Sequence, residues 1–146
     1  MNDTELIYLA GLFDGEGCIH IASSKYLDKG RKNPPYKLRI QITNTCKDLM
    51  DKVASFGFYV IERKDLKKNW KRCWVGHMYD RKAAGLLKQM LPYLIVKKDE
   101  ATLAIEFQDH KDKVGLANGK KGLSEEELAY RVSVKQQLSR LKEQKI

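Results

Sequence analysis

The helix-to-strand junction at residues 4–17 constrains the fold more than any other part of the chain. Its sequence is TELIYLAGLFDGEG, in which an apolar helical pattern over residues 4–14 runs into the glycine-rich stop GEG. Gly11 and Gly15 are four residues apart, so they lie on one face of this helix. Because each glycine costs about 1 kcal/mol of helix stability relative to alanine, we expect this face to pack closely against another helix, such as that of a second copy of the chain.

Two acidic residues stand at the predicted end of this helix. The helix dipole disfavours the negative charges of Asp14 and Glu16 at that end. In a basic chain a divalent cation would compensate these charges, and carboxylate oxygens are hard ligands that suit Mg²⁺. The alternative interpretation is an ordinary glycine cap with solvated acids, in which Asp14 simply hydrogen-bonds nearby backbone.

The remaining pattern indicates one domain over residues 1–146, without a linker or an internal repeat. Alternating apolar residues predict strands, and longer amphipathic stretches predict helices. Asp80 is predicted to cap one helix, and Ser124 with Glu127 forms a capping box that opens the last one. The predicted order is αββαββα followed by further helices: a helix at 4–14, strands at 18–22 and 37–43, a helix at 47–56, strands at 58–63 and 72–78, and helices at 80–91, 97–109 and 124–141.

The second predicted strand has one apolar and one polar face. Because successive side chains of a strand point to opposite sides, Leu38, Ile40 and Ile42 share the face expected to pack on the helices. The opposite face presents the donor-rich set Lys37, Arg39, Gln41 and Thr43. The pleat of the last strand is ambiguous, since apolar residues such as Trp74 and Val75 fall on both of its alternations.

The positive charge of the chain is concentrated in two windows. The net charge of +9 comes from 28 Lys and Arg against 19 Asp and Glu, and residues 25–39 and 62–72 contribute +5 and +4 of it. Such concentration, with aromatic residues interleaved, predicts a surface for a polyanion, most simply nucleic acid. Basic loops that only keep a protein soluble would be spread more evenly, and a membrane surface would call for an amphipathic helix.

Several other classes of protein are disfavoured by the sequence. No apolar run approaches the roughly 20 residues that a membrane span requires. The acidic start of the chain predicts an intracellular protein that is not secreted. Cys18, Cys46 and Cys73 lack metal-ligand spacing and predict free thiols. The three histidines are too far apart in sequence to indicate a zinc site or an HNH-type nuclease centre.

The string LAGLFDGEG at residues 9–17 resembles the signature of the LAGLIDADG homing endonucleases. It departs from that signature at Phe13, Gly15 and Glu16. The αββαββα order extends the resemblance over most of the chain, and residues 110–146 are the least certain part of it. The resemblance implies an α+β fold in which an antiparallel four-stranded sheet forms a DNA-binding saddle and the motif helices of two units pack at a pseudo-twofold axis.

The resemblance also implies roles for individual residues. Glu16, with the backbone carbonyl of Gly15, would bind Mg²⁺ or another divalent cation such as Mn²⁺ or Ca²⁺. Lys97, which follows the segment PYLIV, would be an active-site lysine, with Lys98 as a possible substitute. Asn44 would orient water near the metal, although its surroundings also match a helix cap. The dimer interface would comprise Gly11, Leu12 and Gly15.

The function implied is site-specific cleavage of double-stranded DNA at a long pseudo-palindromic target. Because the chain contains one motif, cutting both strands would require a homodimer. Arg39 and Gln41 are the candidates for reading bases. The full set of predicted DNA contacts is Lys25, Lys29, Arg31, Lys32, Lys37, Arg39, Gln41, Arg63, Lys64, Lys67, Lys68, Lys71 and Arg72.

Two other functions fit the same scaffold and basic surface. One is an RNA maturase that binds intron RNA and assists splicing, and the other is a DNA-binding regulator that does not cleave. The intact Glu16 argues mildly against both, because a protein that only binds has no need of this acid.

Overall fold

The computed structural model describes residues 1–23, 35–64, 67–115 and 123–144. Within these residues the elements follow the predicted αββαββα order and then add two long helices, which confirms the α+β class. Their bounds are α1 Asp3–Glu16, β1 Gly17–Ser23, β2 Tyr36–Asn44, α2 Lys47–Ser55, β3 Tyr59–Glu62, β4 Trp74–Tyr79, α3 Asp80–Met90, α4 Lys98–Val114 and α5 Glu125–Glu143, with a 3₁₀ turn at Leu91–Tyr93.

The four strands form one antiparallel sheet in the order β1-β2-β4-β3. The central pair brings Ile40 opposite Met78 and Ile42 opposite Gly76, while Ile19 pairs with Ile40 from the other side. These residues share one face, the inner face, which packs on the helices. As predicted, the apolar alternation of β2 is fully buried there.

The register also resolves the pleat of β4. Gly76 and Met78 lie on the inner face, so Val75, His77 and Tyr79 point to the opposite, outer face of the sheet. Packing is tight at Gly76, because a Cβ atom at this position would lie 3.2–3.3 Å from side-chain atoms of α2, Phe58 and β3.

Helix α1 runs two residues further than the pattern predicts and ends at Glu16. Gly17 is not a left-handed cap, since its backbone is extended at φ −79°. It is instead the first residue of β1, and a Cβ atom there would lie 2.3 Å from the ring of Phe13. Glycine at position 17 therefore allows close packing against Phe13. This packing lets the chain pass directly from α1 into β1.

Two predicted helix starts differ in detail from the structure. The prediction that Asp80 caps α3 is wrong, because Asp80 is the first residue of the helix, at φ 49°, and its carboxylate lies 3.4 Å from Lys111 Nζ. Ser124 does cap α5 by accepting from Glu127 N at 3.1 Å. Within the described residues the Glu127 carboxylate does not return the second bond of this box and instead binds His110 and Arg131.

Helix α5 lies along the outer edge of β1. Lys142 donates to the backbone carbonyl of Ile19, and Lys135 Nζ donates to Ser23 Oγ at 2.7 Å. This cover satisfies part of an edge that could otherwise pair with another strand. The cysteines at positions 18, 46 and 73 are free thiols, as predicted.

Across the four described ranges, none of the helices combines the length and the apolar character that crossing a membrane requires.

Candidate functional site

Glu16 is the exposed last residue of α1, at the junction with β1. No hydrogen bond or ion pair joins its carboxylate to any other described residue. Two bonds close the end of the helix: Gly17 N–H donates to the carbonyl of Phe13, and Lys97 Nζ donates to the carbonyl of Asp14. Neither bond uses the carbonyl of Gly15, so this oxygen and the Glu16 carboxylate remain as possible ligands at the helix end.

The Asp14 carboxylate is held by backbone rather than by a cation. Its Oδ2 accepts from Ile95 N at 2.9 Å, and its Oδ1 accepts from Val96 N and Lys97 N, both at 3.1 Å. Three N–H dipoles therefore offset a charge that the helix dipole disfavours. Asp14 therefore bonds to backbone, as in the alternative interpretation, but this backbone is 81–83 residues away in sequence and the helix has no left-handed glycine cap.

Lys97 lies at the helix end that carries Glu16. Its ammonium is partly buried and donates to the carbonyl of Asp14 at 2.7 Å. The tertiary fold therefore brings Lys97 to the motif helix. It contacts Asp14, which lies two residues before Glu16 in the sequence. The possible substitute, Lys98, is the exposed first residue of α4.

Glu16 and Asn44 line one open depression at the end of the sheet. The other lining residues are Thr43, Thr45, Arg63, Trp70, Lys71 and Cys73, and Lys97 is not among them. Asn44 Oδ1 accepts from Cys46 N at 2.8 Å, which forms a local turn before α2. The interpretation of Asn44 as a helix cap is wrong, because Cys46 is the N-cap of α2 and no described side chain caps this helix. The bond to Cys46 N leaves the amide nitrogen of Asn44 as the group that can act on a ligand.

One side of α1 is exposed and apolar in the single chain. Ile7 and Tyr8 are each 51% exposed, and a Cβ atom added at Gly11 or Gly15 would have no neighbour within 4 Å. Leu12 is half-buried at the margin of this face. The loop that Asp14 holds adds further exposed apolar surface, at Ile95 and Val96.

The outer face of the sheet carries two rows of polar side chains. One row is His20, Arg39 and Tyr79, and the adjacent row is Cys18, Gln41, His77 and Tyr59. Lys37, Arg39 and Gln41 therefore lie on the face that the sequence predicts for them.

Two histidines flank Arg39 on this outer face. Burial lowers the pKa of His20 to about 4, with smaller contributions from Lys142, Arg39 and His77. Burial also lowers the pKa of His77, assisted by Arg39. Both rings are therefore neutral at pH 7. Sequence reasoning missed their relation to Arg39, because only strand pairing brings the three side chains together.

The basic side chains of the β3–β4 connection differ in whether an ion pair within the protein holds them. Lys64, Lys67, Lys68 and Lys71 are exposed. Arg72 instead makes a two-point ion pair with Glu62, at 2.7 and 3.0 Å, which raises the pKa of Arg72. Four further predicted DNA contacts lie outside the described residues: Lys25, Lys29, Arg31 and Lys32.

The sequence matches no protein-family model and no curated protein. Solved structures do match the fold. The homing endonuclease I-CvuI, in complex with a DNA target, aligns with a TM-score of 0.74 at 17% identity, over 94% of this chain and 82% of that one. The archaeal intron-encoded homing endonuclease I-Vdi141I, complexed with DNA, aligns with a TM-score of 0.73 at 16% identity, over 95% and 84% of the two chains.

A third similar structure is the LAGLIDADG homing endonuclease I-SmaMI bound to cleaved DNA. It aligns with a TM-score of 0.52 at 18% identity, over 92% of this chain and 49% of that one. The three alignments cover 92–95% of this chain. Three findings agree: the LAGLFDGEG sequence of the first helix, the order of the strands in the sheet and the similarity to these solved structures. We conclude that the chain has the fold of the LAGLIDADG homing endonucleases.

Proposed function

We propose that the chain is a metal-dependent, site-specific double-strand DNA endonuclease that acts as a homodimer. The observation that carries this proposal is the exposed carboxylate of Glu16, which has no ion-pair partner among the described residues and stands at the end of a glycine-bearing helix face. It shares a depression with Asn44, Arg63 and Lys71, at one end of a polar and basic sheet face. Solved structures with this fold include one bound to cleaved DNA, and cleavage by this chain is our proposal.

Dimerisation through α1 would complete the site. Gly11 and Gly15 leave room for a second backbone, and Ile7 and Tyr8 supply apolar surface that a partner helix would bury. Because Glu16 directly follows Gly15, pairing α1 with its symmetry copy would bring two Glu16 carboxylates together. A twofold dimer would then read a pseudo-palindromic target.

The residues present fit a divalent cation. The Glu16 carboxylate and the Gly15 carbonyl are hard oxygen ligands of the kind that Mg²⁺, Mn²⁺ or Ca²⁺ accepts. Within the described part of the chain, no group of three or more histidine, cysteine and acidic side chains is placed to hold a metal ion. The ligand set proposed here needs only one carboxylate from each chain. When bound, such an ion lowers the pKa of water and stabilises charge on a phosphate.

The chain's own side chains would prepare the phosphodiester for cleavage. The cations of Lys71 and Arg63 border the depression and would hold the DNA backbone beside Glu16. Lys97, whose ammonium lies at the helix end, would add a further positive charge to offset the negative charge that develops on the phosphate. The amide nitrogen of Asn44 would position a water molecule or a phosphate oxygen by hydrogen bonding.

The outer face of the sheet would lie along the major groove. In this orientation Arg39 would read guanine and Gln41 would read adenine. The exposed Lys67 and Lys68 would contact phosphates and give a steep dependence of affinity on salt.

The decisive experiment compares the wild-type protein with Glu16→Gln on a randomised duplex library in Mg²⁺. We expect double-strand breaks from the wild type and none from the variant, with binding of DNA retained. Glu143→Gln, at the exposed end of α5, is the matched control and should cleave normally. Binding without breaks in all three proteins would favour the regulator, and preference for structured intron RNA would favour the maturase.

A further inference from the structure

A second depression lies at the centre of the outer sheet face and combines polar and apolar groups. It is lined by Gln41, Ile61, Val75 and His77, with Glu62, Arg63 and Lys64 at its rim. Ile61 is 43% exposed there, on a face that is otherwise largely polar. Burying such a side chain against a ligand is favourable, so the depression is suited to a ligand that has both hydrogen-bonding and apolar atoms.

The Gln41 amide is oriented within this depression. Its Nε2 donates one hydrogen bond to Thr43 Oγ1 at 3.3 Å, from the same face of the same strand. A primary amide nitrogen carries two protons, so Gln41 retains one N–H donor and its carbonyl acceptor. This adjacent donor and acceptor match N7 and N6 of adenine in the major groove.

His77 lines the same depression. Its Nδ1 is sealed from solvent and has no hydrogen-bond partner among the described residues, while the ring stacks on Tyr79 with centroids 6.0 Å apart. Burial lowers the pKa of His77, so its neutral ring carries one N–H donor and one acceptor nitrogen. With the proton on Nε2, His77 would offer an N–H donor beside Gln41, its direct partner in the sheet.

We propose that Gln41, His77 and Ile61 form a subsite that reads one A·T base pair. Gln41 would bind adenine, His77 Nε2–H would donate to O4 of thymine, and Ile61 would contact the thymine methyl group. Of the four bases, only thymine presents both O4 and a methyl group in the major groove. This inference rests on the proposed function, because it takes the outer face to be the surface that meets DNA.

The spacing of the three side chains suits one base-pair edge. Directly paired residues such as Gln41 and His77 have Cβ atoms about 4.5–5.5 Å apart, and diagonal neighbours on adjacent strands lie about 7–8 Å apart. Ile61 pairs with Val75 and is a diagonal neighbour of His77. Across the sheet, the Gln41 amide comes first, the His77 ring second and the Ile61 side chain third. The groups that they would contact follow the same order along the edge of the base pair: N7 and N6 of adenine, then O4 of thymine, then the thymine methyl group.

The experiment begins by selecting bound duplexes from a randomised library with the wild type and with Gln41→Ala. We expect an A·T pair at one position of each half-site, where the preference is lost in the variant. Thymine in that pair is then replaced by deoxyuridine, which lacks only the methyl group. Affinity of the wild type should fall about fourfold, the equivalent of one buried methyl group.

The matched variant is Ile61→Ser, which should bind thymine and deoxyuridine equally at that position. Deoxyuridine at selected positions that do not respond to Gln41→Ala is the internal control. A G·C pair at the Gln41-dependent position, or wild-type binding that is indifferent to the methyl group, would overturn the subsite while leaving the proposed function intact. Failure to bind any duplex would overturn both.

Discussion

The ammonium group of Lys97 donates a hydrogen bond to the backbone carbonyl of Asp14 at 2.7 Å, across 83 positions of sequence. The bond is reciprocated, because the Asp14 carboxylate accepts from the backbone nitrogen of Lys97 at 3.1 Å. The pair fixes the loop before α4 against the end of α1. The position of Glu16, two residues beyond Asp14, therefore depends on a contact between distant parts of the chain.

Replacing Asp14 with asparagine should destabilise the fold by about 2 kcal/mol. The neutral amide keeps one acceptor oxygen, whereas the carboxylate accepts three backbone N–H bonds, and hydrogen bonds to charged groups contribute about 1.5–3 kcal/mol each. The free energy of unfolding in urea measures the loss. Glu143→Gln is the control and should change stability by less than about 0.5 kcal/mol; equal effects of the two substitutions would deny Asp14 its anchoring role.

Lys97→Met should slow DNA cleavage more than it weakens DNA binding. Its charge lies beside the motif carbonyls, so its loss removes stabilisation of the developing phosphate charge, and we expect a drop of about 10²-fold in rate. The single-turnover rate at saturating protein, compared with affinity measured in Ca²⁺, separates chemistry from binding.

Lys98→Met is the control for Lys97, and Lys97→Arg should restore part of the rate because it restores the charge. If the loss of rate instead followed the Lys98 variant, the active-site cation would have to be reassigned to Lys98.

Gly11→Ala should weaken dimerisation about tenfold or more, because a methyl group would keep two α1 helices apart. Gly85→Ala in α3 is a matched control, since a Cβ atom at either glycine meets nothing within 4 Å in the single chain. Either alanine should favour its helix by up to about 1 kcal/mol. Sedimentation equilibrium gives the dimer dissociation constants, and identical constants for the two variants would argue against α1 as the interface.

Stability should fall as the pH is lowered from about 7 toward 5, in part because of His20. The pKa of this half-buried ring is about 4 in the folded protein against 6.5 as the ordinary value, so the unfolded chain binds the proton more readily over that interval. Lys142 from α5, Arg39 from β2 and His77 from β4 all disfavour its protonation. Allowing for solvent screening, the effect at pH 5 is about 1 kcal/mol.

Urea unfolding of the wild type and of His20→Gln at pH 7.5 and pH 5 checks the contribution of His20. The variant should lose less stability on acidification than the wild type. The same pH dependence in both proteins would exclude His20 as a source of it.

Local patterns were sufficient to predict much of this molecule. The alternation in β2 predicts its buried and outward faces, because the period of a strand fixes them without reference to the rest of the chain. The glycine spacing in α1 likewise predicts an open face at Gly11 and Gly15. Helix ends were less predictable, as Asp80 shows, because the side chain of Lys111 from another helix provides its partner.

The amino-acid sequence by itself determined the order of helices and strands, the LAGLFDGEG helix and the polar face of β2, since these follow from residue periodicity and short-range sterics. Only the tertiary structure decided the pleat of β4, the joining of Lys97 to Asp14, the pairing of Arg72 with Glu62 and the placing of His77 beside Gln41. These contacts join residues on different elements. Strand register and helix docking select among them by packing the whole core, and no local pattern contains that information.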